Sequence, residues 1–185
     1  ELAAAGRVTH DAWFLPLGIG DSSLVPAGLV LRDGDHALIT GPPRSGKTTA
    51  LVTLAEVARA AHPDLHIAAL VPRHSELGDC SAVDEVVSIG DIEGDAWVDR
   101  DRLLLVDDAE LVEQGDPLRA LVRRRQPRVR VVAAGSADVI RGLYGHWTQD
   151  LRRSRIGCAL RPNTVSDGDL WQTQLPRGHQ EPFPV

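Results

Sequence analysis

The residues best suited to chemistry form one short run, Gly41-Pro42-Pro43-Arg44-Ser45-Gly46-Lys47-Thr48. Its glycines allow backbone N–H groups to turn inward around an anion, which is the P-loop pattern. Lys47 is the chain's single lysine beside nineteen arginines, and a compact ammonium on a flexible stem can reach between the β- and γ-phosphates. The Thr48 hydroxyl is a suitable Mg²⁺ ligand. The run therefore predicts an ATP and Mg²⁺ site in which Lys47 is also catalytic. The predicted nucleotide contacts are Gly41, Pro42, Pro43, Arg44, Ser45, Gly46, Lys47, Thr48 and Thr49.

A second chemical feature is the acidic end of a predicted buried strand, Leu103-Leu104-Leu105-Val106 followed by Asp107-Asp108. Such a strand delivers its last residues to the carboxyl edge of a parallel sheet, where P-loop proteins hold Mg²⁺. We therefore predict that Asp107 binds the metal together with Thr48, and that Asp108 is catalytic by orienting the attacking water. Asp is one methylene shorter than the Glu common at this place, which leaves hydrolysis open. The alternative is that Asp108 only caps a helix beginning at Ala109.

The elements that must position these residues alternate between strands and helices. Apolar runs predict strands at 29–31, 36–40, 65–71, 86–89, 103–106, 129–134, 156–160 and 170–173. Helical spacing predicts helices over 48–61, 91–98, 109–125 with an interruption near 115–117, and 137–147, after a turn-rich lead-in at 15–20. This alternation predicts an α/β fold of the P-loop NTPase type, with a mostly parallel sheet and helices on both faces.

Three further features have both a functional and a structural interpretation. Ser136 follows a predicted strand, where a polar sensor of the γ-phosphate can stand, but serine is equally an ordinary helix N-cap. Arginines cluster at 118–125 and at 152–155. Either cluster could supply an arginine finger to a neighbouring domain or bind an anionic partner. The structural alternative is a solvated helix face that pairs with the chain's 26 acidic residues.

Length and composition predict one soluble domain. The 185 residues suffice for one core and are too few for two, and a chain with 43% hydrophobic and 25% charged residues is typical of globular proteins. No apolar run approaches the ~20 residues of a membrane span, so we expect no direct membrane contact from this domain. The net charge of −6 argues against nucleic acid as its main partner.

The start at Glu1 and the absence of Met lead us to expect a piece of a longer protein. Residues 1–185 are expected to form one P-loop ATPase domain of that multi-domain chain. The proline-rich residues 178–185 are expected to be a loose tail.

The order of these features resembles the FtsK/SpoIIIE family of ring-forming motor ATPases over about residues 15–177. The resemblance is carried by Leu15-Pro16-Leu17-Gly18-Ile19-Gly20, by His36-Ala37-Leu38-Ile39-Thr40 running into the P-loop, and by Arg155-Ile156-Gly157-Cys158-Ala159-Leu160 with the Asp-Gly turn that follows. Only the P-loop and the Asp107-Asp108 end are specific by themselves. The resemblance implies a RecA/FtsK-like fold.

Within that family the chain is most similar to the C-terminal ATPase module of the coupling ATPases of actinobacterial type VII secretion. The similar segments are Leu104-Leu105-Val106-Asp107-Asp108-Ala109-Glu110-Leu111-Val112, and Tyr144-Gly145-His146-Trp147 followed by Arg152-Arg153-Ser154-Arg155. The resemblance implies neighbouring ATPase modules of the same chain or ring as partners, and a secreted protein as substrate. It also implies a cytoplasmic location, at the cytoplasmic face of the membrane through the parent chain.

Two departures from the family pattern bear on function. Only 59 residues separate Lys47 from Asp107, fewer than DNA-pumping members use, and Asp108 stands in place of Glu. The favoured hypothesis is an ATP-binding module, with hydrolysis open, of a motor or coupling ATPase for type VII protein secretion. One alternative is a DNA translocase motor, for which net charge and the short middle segment make DNA the less favoured partner. The other is a non-hydrolysing regulatory or assembly module that ATP stabilises by mass action.

Overall fold

A computed structural model describes residues 12–21, 23–92, 97, 99–113 and 115–175. In this part of the chain, six strands form a parallel sheet in the order β5-β4-β6-β7-β3-β8, and two more form an antiparallel pair. The strands are β1 Ala12–Ile19, β2 Pro26–Arg32, β3 Ala37–Thr40, β4 His66–Leu70, β5 Glu85–Val86, β6 Arg102–Val106, β7 Val129–Gly135 and β8 Gly157–Ala159. The expected loose tail at 178–185 lies outside the described residues, as does most of the helix predicted over 91–98.

The helices of the described residues connect these strands. They are α1 Lys47–Ala61, α2 Asp116–Arg124, α3 Ala137–Gly142 and α4 Thr148–Leu151, with 3₁₀ turns at Ile89–Ile92, Ala109–Leu111, Arg152–Ser154 and Asp167–Trp171. α1 begins after Gly46 and ends at Ala61, because Pro63 disfavours a helical conformation in His62, the residue before it. The interruption predicted inside 109–125 is present, since the turn at Ala109–Leu111 is separate from α2.

Hydrophobic residues pack against both faces of the sheet, as its buried parallel strands require. Successive residues of β6 alternate between two clusters: Leu104 and Val106 face the layer that contains α2, whereas Leu103 and Leu105 face the layer that contains α1. The predicted α/β fold with a parallel sheet and helices on both faces is therefore confirmed. No helix in the described part of the chain is both long and apolar enough to span a bilayer.

The lead-in at 15–20 is a strand and not the turn-rich segment expected. β1 pairs with β2 along its length, and a β-bulge between Pro16 and Gly18 shifts the register of the pairing there. The pairing buries Trp13 and Leu15 against the α1 side of the sheet. The hairpin therefore closes the core beside α1, and cross-strand packing overrides the local turn signal.

Three other predicted elements were wrong. Of the strand expected over 86–89, only Val86 lies in a strand, the two-residue β5 Glu85–Val86, and Ile89 begins a 3₁₀ turn. The helix expected over 137–147 ends at Gly142, because Leu143 is extended and Gly145 has a φ of 70°, which no helix can continue. The strand expected over 170–173 is absent: Leu170 and Trp171 belong to the 3₁₀ turn Asp167–Trp171, and Gln172 after it has a left-handed backbone with a φ of 53°. There the buried Asp167 carboxylate accepts a hydrogen bond from the Asn163 N–H (2.9 Å), which favours a tight turn over an extended segment.

Candidate functional site

The P-loop joins the carboxyl end of β3 to the first turn of α1. Gly46 has a φ of 93°, a conformation that glycine adopts without strain. A Cβ on Gly41 would lie 2.7 Å from the Leu160 carbonyl oxygen and 2.4 Å from Ser45 Oγ, so only glycine fits there. The two glycines of the motif are thus required for different reasons, one for backbone conformation and the other for close packing.

Lys47 is held against the loop that it follows. Its Nζ donates hydrogen bonds to the carbonyl oxygens of Gly41 (3.2 Å) and Pro42 (2.9 Å). The positive charge is therefore concentrated at the loop, where the N-terminus of α1 adds its partial positive charge. Ser45 Oγ, in the same loop, is buried and has no hydrogen-bond partner among the described residues.

The predicted metal pair is brought together by the fold. Thr48 Oγ1 donates to Asp107 Oδ2 at 2.8 Å, although the two residues come from α1 and from the end of β6. Asp107 is only 3% exposed, and its Oδ1 accepts the Asp108 N–H at 3.0 Å. A hydroxyl and a carboxylate side by side are the hard oxygen ligands that Mg²⁺ prefers when phosphates and water complete its shell.

Asp108 does not act as a side-chain cap for the turn at Ala109–Leu111. Its backbone is left-handed, with a φ of 45°, and its side chain makes no capping hydrogen bond. Its Oδ2 instead accepts a hydrogen bond from Arg73 Nε at 2.5 Å. The capping alternative is therefore not what the structure shows, and the role of Asp108 in orienting water stays a prediction.

Two residues of the site, Arg73 and Ser75, were missed by sequence reasoning. Both follow β4, which lies beside β6 in the sheet, so the loop after β4 lies next to Asp107 and Asp108. Ser75 Oγ donates to Asp107 Oδ2 at 2.7 Å, the same oxygen that Thr48 contacts. The hydrogen bond to Asp108 raises the pKa of the Arg73 guanidinium. The sequence signal that could have located Arg73 and Ser75 is the end of the apolar run 65–71, since the carboxyl ends of parallel strands meet at one edge of the sheet.

Ser136 lies at the end of β7, next to an unexpected acidic neighbour. Its backbone N–H donates to Glu110 Oε1 at 3.0 Å, while its side chain makes no capping hydrogen bond to α3. Glu110 Oε2 is buried without a hydrogen-bond partner in the described part of the chain. The backbone of Ser136 is thus fixed by Glu110, and its role as a phosphate sensor stays a prediction.

The two arginine clusters lie away from the P-loop, and most of their contacts are within the chain. Arg119, Arg123 and Arg153 all pair with the buried Asp150, at 3.5, 3.1 and 3.3 Å. Arg152 donates to the Leu170 carbonyl at 3.1 Å. These contacts support the structural interpretation of the clusters, a helix surface paired with the chain's own acids.

The P-loop, the Asp107-Asp108 end and the loop after β4 enclose one cavity of about 720 Å³. This volume lies within the range of small-molecule sites, roughly 300–1,000 Å³. One wall carries Lys47 and the α1 N-terminus, and the other carries Arg73, Asp107 and Asp108. The residues present therefore fit a nucleotide whose phosphates the P-loop would hold and whose metal Thr48 and Asp107 would bind.

Solved structures with the same fold include modules of secretion ATPases. EssC (ATPases 2 and 3) from Geobacillus thermodenitrificans superposes with a TM-score of 0.67 at 16% identity, over 96% of this chain and 38% of that one. Thermomonospora curvata EccC (ATPases 2 and 3), in complex with a signal sequence peptide, gives a TM-score of 0.62 at 19% identity, over 84% of this chain and 35% of that one. The cytoplasmic domain of the Thermomonospora curvata type VII secretion ATPase EccC gives a TM-score of 0.63 at 19% identity, over 89% of this chain and 23% of that one.

No protein-family model matches this chain, and no curated protein does. The chain spans between 23% and 38% of the length of the three solved proteins. The resemblance seen in the sequence is confirmed, because these neighbours are FtsK/SpoIIIE-type ATPase domains of type VII secretion. At 16% to 19% identity the likeness concerns the fold, which is that of P-loop ATPases.

Proposed function

We propose that this chain is an ATP- and Mg²⁺-binding module of a multi-domain coupling ATPase for type VII protein secretion. The observation that carries the nucleotide part is the hydrogen bond between Thr48 Oγ1 and Asp107 Oδ2 at 2.8 Å, on the wall of the cavity that the P-loop bounds. A P-loop threonine beside a strand-end aspartate is the pair that holds Mg²⁺ in P-loop NTPases. A metal bound by this pair would supply positive charge that neutralises the nucleotide phosphates.

Each residue of the site has a distinct part in this proposal. The backbone N–H groups of Arg44 to Thr49 hold the phosphates, since Pro42 and Pro43 have no N–H to donate, and Lys47 exchanges its loop carbonyls for phosphate oxygens. Thr48 ligates the metal directly, and Asp107 ligates it directly or through a water. Asp108 orients the water for hydrolysis, if the module turns over.

The secretion part of the proposal is supported by the shared fold and by the segments quoted above. We propose that residues 1–185 are one module of a longer chain, acting at the cytoplasmic face of a membrane beside further ATPase modules. The Thermomonospora curvata EccC structure contains a signal sequence peptide, so a segment of a secreted protein is the partner we propose for the parent chain. The negative net charge of this chain, −6, does not favour DNA as that partner.

A second candidate is a module that binds ATP without hydrolysing it. The observation that favours it is the contact of Arg73 with Asp108, because an aspartate engaged by a guanidinium has less capacity to orient water. In this candidate, ATP stabilises the folded module and its assembly with its neighbours.

Calorimetric titration of ATP tests the proposal, first with Mg²⁺ and then with EDTA, while phosphate release is followed in the same sample. We expect binding that weakens strongly when Mg²⁺ is removed. Binding without phosphate release favours the ligand-holding candidate, whereas steady release makes Asp108 a working catalytic residue. Absence of binding under both conditions overturns the nucleotide assignment.

A further inference from the structure

Arg73 is a cation on the wall of the nucleotide cavity that lies outside the P-loop, unlike Lys47 and Arg44, and no motif assigns it. It follows β4 and contacts Asp108, which follows the neighbouring strand β6. The Arg73 side chain is 66% exposed and the Asp108 side chain 18%. The guanidinium therefore reaches from the solvent side onto the carboxylate that is predicted to orient water.

The contact with Asp108 uses only part of the guanidinium. Nε donates to Asp108 Oδ2, while Nη1 and Nη2 make no hydrogen bond to the described residues. An ion pair with a largely exposed arginine contributes little to stability, because solvent screens the interaction. Arg73 can therefore leave Asp108 at low cost, and it still has the two-pronged donor set that binds phosphate oxygens well.

The loop that carries Arg73 is fixed to the metal side of the site. Ser75 Oγ donates to Asp107 Oδ2 at 2.7 Å and accepts the Leu77 N–H at 3.2 Å. These bonds hold the backbone two residues beyond Arg73 at the cavity wall. The Arg73 side chain can therefore change its partner without movement of the loop.

We propose that Arg73 senses the terminal phosphate of the bound nucleotide, by exchanging the Asp108 carboxylate for the γ-phosphate and thereby releasing Asp108. This inference rests on the proposed ATP-binding function and assigns a regulatory element to the same site. A γ-phosphate carries more charge and more acceptor oxygens than one carboxylate, so it competes well for the guanidinium. ADP has no such group and leaves Arg73 on Asp108. The site then couples recognition of ATP to the release of the residue that would orient water.

Calorimetric titration of ATP and of ADP, each with Mg²⁺, tests this exchange in four proteins. These are the wild type, Arg73→Gln, Asp108→Asn, and the double variant. We expect Arg73→Gln to weaken ATP binding about tenfold through the lost charge-assisted hydrogen bonds, with ADP binding changed less than about twofold. Asp108→Asn removes the competing carboxylate and should strengthen ATP binding a few-fold, but only while Arg73 is present. The double variant should therefore bind like Arg73→Gln.

Arg100→Gln is the matched control, because Arg100 is 58% exposed and pairs with the neighbouring Asp99 away from the cavity. It should leave both affinities unchanged. If the ratio of ATP affinity to ADP affinity in Arg73→Gln stays within about twofold of the wild-type ratio, the sensor role is overturned, while the nucleotide assignment stands. Wild-type protein that binds neither nucleotide overturns both. Arg73→Lys keeps the charge without the two-pronged geometry and should fall between wild type and Arg73→Gln.

Discussion

The two edges of the central sheet use the same residue types in opposite ways. At the carboxyl edge, Lys47, Arg73, Asp107 and Asp108 line a cavity of about 720 Å³. At the amino edge, Arg130 is buried, pairs with Asp33 and lies 4.4 Å from the centre of the Trp13 ring. Charge alone therefore does not mark a functional site in this fold. What distinguishes the carboxyl edge is that its charged groups face a space large enough for a ligand.

The amino edge is organised for stability. Arg102, the first residue of β6, forms ion pairs with Glu85 (3.3 Å) and Asp99 (3.5 Å). Its guanidinium carbon lies 4.7 Å from the centre of the Trp97 ring. Buried His36 precedes β3, and its Nδ1 accepts the Val131 N–H at 3.1 Å. Substitutions at this edge should change the free energy of unfolding, whereas substitutions at the other edge should change ligand affinity.

Lys47→Ala should have the largest effect, and it tests the carboxyl edge. Removal of the ammonium should weaken ATP binding about a thousandfold, or about 4 kcal/mol, because Lys47 is the cation of the P-loop that is placed to reach the β- and γ-phosphates. The midpoint of thermal unfolding in the absence of nucleotide should stay close to that of the wild type. Unchanged ATP affinity, measured by calorimetry, would contradict the assignment of the site.

His36 should make stability depend on pH, and it tests the amino edge. Burial lowers the pKa of its imidazole from 6.5 to about 4. Well above pH 6.5 neither the folded nor the unfolded state binds this proton. Between pH 6.5 and pH 4 the unfolded state binds it and the folded state does not, so the fold should lose up to about 3 kcal/mol as pH falls through this window.

The matched variant for this pH effect is His36→Asn, whose side-chain oxygen can replace Nδ1 as the acceptor for Val131. Urea unfolding at several pH values should show a smaller loss of stability in the variant between pH 6.5 and pH 4. Parallel pH profiles for the two proteins would show that His36 is not the titrating group. ATP affinity at pH 8 should be the same in both.

Asp150→Asn should have the smallest of the three effects. Asp150 is 5% exposed and is the shared partner of Arg119, Arg123 and Arg153, whose charges it compensates. The arginines are partly solvated, so we expect a loss of about 2 kcal/mol in the free energy of unfolding, below the usual cost of breaking a fully buried pair. ATP affinity should not change, and a clear loss of affinity would contradict the separation of the two edges.

The control for Asp150→Asn is Asp138→Asn, which removes an exposed carboxylate that pairs with Arg141 at 3.1 Å. A surface pair of this kind contributes about 0.5 kcal/mol or less. Similar losses in the two variants would mean that Asp150 is no more important than a surface acid.

The sequence was sufficient to predict the parts of the site whose signal is local. The P-loop is a contiguous motif, and Asp107 comes directly after a buried run, so each could be predicted without knowing the strand order. Arg73 and Ser75 could not be, because their place beside Asp108 and Asp107 depends on β4 lying next to β6. That adjacency joins segments far apart in the chain, and a single sequence carries no direct signal for it.

The secondary-structure predictions over 137–147 and 170–173 were wrong for a related reason. The residues of 137–147 have helical spacing, yet Gly142 and Gly145 offer the chain a turn that tertiary packing uses. At 170–173 the backbone of Gln172 is left-handed, with a φ of 53°, so the run does not continue as a strand. Local pattern was overridden wherever packing against a distant segment decided the conformation.

The position of β3 in the sheet has a consequence for how the chain folds. Leu38 lies between Ala133 of β7 and Gly157 of β8, so the strand that leads into the P-loop has both of its neighbours late in the sequence. Parallel pairings between distant segments form slowly, because the loop between them must close before any contact is made. During synthesis, therefore, the strand that leads into the phosphate-binding loop gains its first neighbour only when β7 has left the ribosome, and its second only when β8 has followed.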